Sequence, residues 1–126
     1  MAICKIDDIG LSSCDFIKID VEGGELGVLQ GAVNTLSRDR PIVVFEVNVF
    51  CLWRYGRTLP QDLLSWVRDR YPHTAVIDSD AMVTHVESDA TVNHVLHLLG
   101  SGPGVVDVVA SHNSIRFDGN DLKINL

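Results

Sequence analysis

The chain has 126 residues, 46% hydrophobic and 21% charged, the composition of a globular domain with room for one core. A formal net charge of −7, with Lys and Arg scattered, excludes the clustered basic face of a nucleic-acid binder. Three cysteines (Cys4, Cys14 and Cys51) without CxxC spacing fit neither a disulfide framework nor a zinc site, and no apolar run or signal peptide points to a membrane, so a soluble cytoplasmic protein with reduced thiols is expected.

The first strand is expected over residues 14–20, after the turn-like Leu11-Ser12-Ser13. Beyond Gly23 and Gly24, which are expected to turn the chain tightly, the period changes. Leu26, Leu29, Val33 and Leu36 form the stripe of one amphipathic helix, in which Gly27 and Gly31 each cost up to about 1 kcal/mol. Pro41 closes that helix and opens a second strand. Ile42-Val43-Val44-Phe45 is apolar without alternation, which predicts a strand of a parallel sheet covered by helices on both faces.

Residues 48–57, with Trp53 and Tyr55, read as a loop. Thr58 and Gln61 have the spacing of a capping box, with Pro60 in the first turn of a helix whose apolar face is Leu59, Leu63, Trp66, Val67 and Tyr71. The pairs Arg38–Arg40 and Arg68–Arg70 read as solvated helix ends. A third strand is expected at 74–77. A third helix follows, capped by Ser88 or Asp89 and carrying Val92, Val95, Leu96 and Leu99 inward. A strand at 105–110 and a small hairpin at 114–126 complete a single α/β layered domain.

The segment FIKIDVEGGELGVLQGA (16–32) places Asp20, Glu22 and Glu25 where a strand turns into a helix. In open α/β sheets, ligands bind at that end of the strands. A carboxylate there can take a proton from a hydroxyl, or Asp20 and a neighbour can hold a divalent cation that lowers the hydroxyl's pKa. The plainer alternative is that Asp20 and Glu22 cap the following helix. Glu46, ending the second apolar run, either pairs with Lys18 on the neighbouring strand or faces the crevice, with Asn48 just beyond. Trp53 and Tyr55 wall an acceptor pocket or pack peripherally. His94 and His97 read as solvated, His85 and His112 as loop residues, and Cys14 and Cys51 as small buried apolar groups.

The stretch DFIKIDVEGGEL, the following VLxGA and PIVVFE, with the lead-in IDDIGL (6–11), closely resembles the central motif of the FkbM-type S-adenosylmethionine-dependent methyltransferases. That resemblance implies a Rossmann-like class I sheet of order 3-2-1-4-5-7-6 with the seventh strand antiparallel. Residues 15–20, 42–47, 74–77 and 105–110 would be strands four, five, six and seven with their flanking helices. The glycine-rich turn and ribose-holding acid of strands one to three have no counterpart here. The chain is therefore expected to be a C-terminal fragment, inactive alone and unable to bind S-adenosylmethionine by itself.

The implied activity of the full-length protein is O-methylation of a small-molecule hydroxyl acceptor. Asp20, Glu22 and Glu46 would be catalytic, Asn48 and Trp53 substrate-binding, and Asp20 a metal ligand if a divalent ion takes part. Two other readings compete. One is a non-catalytic α/β association module whose bare edge at 15–20 pairs with a second copy or with the missing N-terminal half. The other is a metal-assisted hydrolase using Asp20, Glu22 and Glu46.

Overall fold

The computed structural model describes residues 3–118 and 121–125. A five-stranded sheet carries the fold: β1 (Phe16–Ile19), β2 (Ile42–Asn48), β3 (His73–Ile77), β4 (Val83–His85) and β5 (Val105–Ser111), in the order β1-β2-β5-β3-β4. β1 and β2 are parallel, whereas β5 runs antiparallel to both β2 and β3. The helices are α1 (Glu25–Gln30), α2 (Val33–Asp39), α3 (Val49–Cys51), α4 (Pro60–Arg68) and α5 (Asp89–Ser101). A separate hairpin, β6 (Ile115–Asp118) and β7 (Asp121–Ile124), follows where the sequence predicts it. Its central residues 119 and 120 lie outside the described set, as does residue 126 of the predicted 114–126 span. No helix among the described residues is long and apolar enough to cross a membrane.

The main core lies on one face of the sheet. Val43, Phe45 and Val47 of β2 and Val106 and Val108 of β5 meet Leu29 and Leu36 of α1 and α2, Leu63, Leu64 and Val67 of α4, and Val92, Val95 and Leu99 of α5. The other face carries a smaller cluster, in which Ala75 and Val109 pack under Ile115 of the hairpin. The expected helices on both faces are therefore corrected. β2 alternates between buried and more accessible positions, because helices cover only the side of Val43, Phe45 and Val47. An all-apolar run does not distinguish a face sealed by helices from one partly screened by a hairpin.

Four local expectations also change. The helix predicted through Leu36 is two helices, broken at Gly31-Ala32, where the Gly31 N–H closes on the Gly27 carbonyl and the Ala32 N–H on that of Leu29. Leu29 and Leu36 stay buried across the break, but Val33 is exposed. Residues 49–56 are helical rather than a loop: α3 continues into a π-helical turn, Leu52–Gly56. Thr58 and Gln61 form no capping box. The residue preceding α4 is Leu59, exposed rather than part of the apolar face, and the Thr58 hydroxyl donates to the Gly56 carbonyl instead. Strand β4 is additional. The predicted cap of α5 is present, with Ser88 and Thr91 bonding reciprocally.

Candidate active site

The motif turn joins β1 to α1 through Asp20–Gly24. Its positive φ angles fall at Glu22 (53°) and Gly23 (103°), whereas Gly24 sits at −90°. Gly23 is the residue the turn cannot exchange. A Cβ there would strike the Cys51 carbonyl oxygen and lie 2.7 Å from the Cys51 carbonyl carbon. A Cβ on Gly56 would strike the Gly23 carbonyl oxygen in turn. The strand–helix turn and the π-helical turn after β2 are thus pressed backbone to backbone, which fixes the motif against residues 51–56.

Side chains tie the same two segments. Glu25 is only 4% exposed; its Oε1 accepts from the Gly23 N–H at 3.0 Å, while its Oε2 has no partner among the described residues. The Cys51 thiol donates to Glu22 Oε2 at 2.9 Å, and the Cys51 N–H donates to Asn48 Oδ1 at 3.2 Å. The hydrogen bond to Glu22, then burial, then the charges of Glu22, Glu25 and Glu46 push the Cys51 thiol up to about 11. A thiol surrounded by carboxylates stays protonated, so Cys51 is a hydrogen-bond donor here rather than the plain apolar filler expected from sequence.

Asp20 points elsewhere. Its side chain is 68% exposed and lies 3.9 Å from the equally exposed Lys18, a contact worth little in water. Of the two alternatives for Glu46, the pair with Lys18 does not form: in the β1–β2 register Lys18 stands opposite Val44. Glu46 instead stands opposite Asp107 across the β2–β5 ladder, both exposed. Like charges in directly opposed positions repel, so this pair detracts from the stability of the sheet. Lys18, Asp20, Glu46 and Asp107 line one small concavity of about 90 Å³ at the carboxyl ends of β1 and β2. Asp107 is the residue that sequence reasoning missed. Its signal was a lone acid in the apolar run Val105–Ala110, a position that alternation alone does not connect with Glu46.

The helix-cap alternative for Asp20 and Glu22 is not what forms. Gly24 occupies the N-cap of α1 without a side-chain bond, and the motif carboxylate bonded to the turn's backbone is that of Glu25. Asn48 caps α3, and with Phe50, Trp53, Leu99 and Gly102–Gly104 it borders a second, neutral concavity of about 390 Å³. Trp53 is 67% exposed at its rim. The remaining candidates scatter. His94 and His97 are exposed on α5, His85 lies near Phe117, and the His112 ring packs 4.8 Å from that of Tyr71. Cys14 is half-buried, its thiol directed at the Phe16 carbonyl. Among the described residues, no group of three or more His, Cys, Asp or Glu is placed to hold a metal ion, which gives the metal role of Asp20 and the hydrolase reading no support.

The family model described as the methyltransferase FkbM domain matches residues 5–93, well over half of the chain. The chain belongs to the FkbM methyltransferase domain family. Membership points to methyltransferase activity and, for the family generally, to S-adenosylmethionine as methyl donor. No curated protein and no solved structure matches the chain. The motif's tight turn at Gly23 offers no cradle for that donor. The space beside Gly23 is filled by the protein's own Cys51 and Gly56 backbone, which leaves no room for a cofactor to approach that residue.

Proposed function

We propose that this chain is the acceptor-side, C-terminal part of an S-adenosylmethionine-dependent O-methyltransferase of the FkbM type. The observation that carries the reading is the meeting of Asp20, Glu46 and Asp107 at the carboxyl ends of β1 and β2, within the family-matched region for the first two. The order β1-β2-β5-β3, with β5 antiparallel, supports equating these strands with four, five, seven and six of the class I sheet. β4 is an addition to that pattern.

In this reading Asp20 accepts the proton of the acceptor hydroxyl and Glu46 orients that hydroxyl from the neighbouring strand. Glu22, held by the Cys51 thiol, fixes the turn from which Asp20 projects. The neutral concavity bordered by Asn48 and Trp53 receives the body of a small-molecule acceptor. The grip on the methyl donor belongs to strands one to three, so the 126-residue chain alone is inactive.

The test is transfer of labelled methyl from S-adenosylmethionine by the chain joined to a family N-terminal half that carries the glycine-rich turn. Asp20→Asn should abolish transfer while leaving donor affinity within a few-fold. Glu46→Gln should lower it by at least about tenfold, the effect of losing one positioned charged group. Substantial transfer by the Asp20→Asn protein removes Asp20 from the proton-accepting role.

One observation favours a second reading, an association module. Among the described residues β1 is an edge of the sheet, pairing only with β2, and Phe16 on it is 55% exposed. An unprotected edge of this kind templates pairing with another strand. Sedimentation at several concentrations tests it: a stable monomer throughout the range counts against pairing through residues 15–20.

A further inference from the structure

Arg40 and Arg70 belong to the two arginine pairs that the sequence presents as solvated helix ends, and the structure separates the members of each pair. Arg38 is bonded to Asp39, and Arg68 to Asp69 and Asp89. Arg40 and Arg70 meet no carboxylate among the described residues. They border a common cavity of about 270 Å³ together with Val33, Leu36, Ser37, Tyr71 and His112.

This cavity lies at the opposite end of the sheet from the motif carboxylates. Arg40 directly precedes Pro41 and β2, Tyr71 stands two residues before β3, and His112 follows β5. Arg70 is braced, its guanidinium carbon 3.8 Å over the Trp66 ring and one N–H donated to the Trp66 carbonyl. That leaves its other donors for a ligand.

The second, independent observation is Tyr71. It is only 2% exposed, yet its hydroxyl has no hydrogen-bond partner among the described residues. A buried orphan hydroxyl calls for an explanation, because leaving it unpaired forfeits a hydrogen bond that water would supply. Burial pushes the phenol well up, so it remains a donor. Burial, then the charges of Arg40 and His73, hold His112 below its ordinary range.

We propose that this cavity binds a phosphomonoester, its phosphate held by Arg40, Arg70 and the Tyr71 hydroxyl and its small organic body against Val33 and Leu36. Two guanidinium groups, which only donate, and a phenol that keeps its proton to donate complement an oxyanion. In a chain of net charge −7, a carboxylate-free arginine pair beside a cavity is a local exception to the overall field. The space equals about nine waters' share of liquid volume, more than a bare phosphate needs.

The experiment is titration of the 126-residue chain at constant ionic strength with inorganic phosphate, phenyl phosphate and, as reference, chloride. Backbone amide shifts at Arg40, Arg70 and His112 are the readout. Saturable shifts confined to these residues are expected, with phenyl phosphate tighter than inorganic phosphate. Arg40→Gln and Arg70→Gln should each weaken binding about tenfold or more, and Tyr71→Phe severalfold. Arg54→Gln, on the exposed turn that follows β2 at the opposite end of the sheet, should leave it within about twofold. Both arginine sites are exposed, so those variants are expected to fold; the amide spectrum itself verifies this. Equal response to chloride, unchanged affinity in both arginine variants, or phenyl phosphate no tighter than inorganic phosphate would overturn the assignment.

Discussion

Substituting Ala for Gly23 should damage the fold more than any other single methyl group added to the motif. Two costs combine there. An L-residue held at φ near 103° is strained by about 1–3 kcal/mol. The new methyl also overlaps the Cys51 backbone, which belongs to the rigid α3–π turn and cannot swing aside as a side-chain tip would; overpacking of this kind costs about 1–3 kcal/mol more. The sum, about 4 kcal/mol, is a large fraction of the roughly 5–15 kcal/mol that holds a domain together. For a chain of this length it corresponds to a fall of about 10–20 °C in Tm. Gly27→Ala is the internal control. A Cβ there meets nothing within 4 Å, and the helix gains up to about 1 kcal/mol, so its Tm should rise. Thermal melts followed by circular dichroism compare the two. A Gly23→Ala protein melting within about 2 °C of the wild type would refute both the positive φ and the backbone contact with Cys51.

The further predictions test the polar ties made by Cys51 and by Asp7. At pH 8 the Cys51 thiol should react with iodoacetamide far more slowly than exposed Cys4, and Glu22→Gln should accelerate it by removing the bond and charge that raise its pKa; equal rates at the two cysteines would contradict the Glu22–Cys51 bond. Because the folded thiol keeps its proton up to about 11 against an ordinary 9.0, this group's contribution to stability is complete below pH 9 and declines as pH rises through that window. Asp7 clamps the N-terminal segment onto α2. Burial raises its pKa, but bonds from the Asn34 N–H, the Thr35 N–H and the Thr35 hydroxyl outweigh that and hold the carboxyl below 3.8. Asp7→Ala should therefore lower Tm at pH 7, with the gap to the wild type closing as pH falls below about 3.8; a gap that persists in acid would show that the clamp is not ionic.

The sheet was legible where one residue class dominated a run: Phe16–Ile19, Ile42–Asn48 and Val105–Ser111 are strands within a residue or two of expectation. The change of period at Gly23-Gly24 marked the turn correctly. The break at Gly31 was hidden because Leu29 and Leu36 keep their apolar spacing across it, and β4 is too short to show a period. Residues 49–56 looked like a loop because their helical turn depends on tertiary contacts: the Asn48 cap, and the close passage of Gly56 beside Gly23. The site divided in the same way. That Asp20 and Glu46 lie on adjacent strands was legible, but whether Glu46 pairs with Lys18 or faces the crevice stayed open, because pairing register is not written in either strand alone. Register sets Lys18 opposite Val44 and Asp107 opposite Glu46. The link from Glu22 through Cys51 to Asn48 joins residues far apart in sequence with no spacing signal at all.

The central claim is that these residues supply the acceptor side of a methyl-transfer site and leave the donor to another part of the sheet. Calorimetric titration with S-adenosylmethionine tests it most directly, run on the 126-residue chain and on the same chain joined to a family N-terminal half. The account predicts no measurable heat of binding for the chain alone and micromolar binding once the glycine-rich half is joined. Micromolar binding by the chain alone would contradict it, and with it the assignment of β1, β2, β3 and β5 to strands four, five, six and seven.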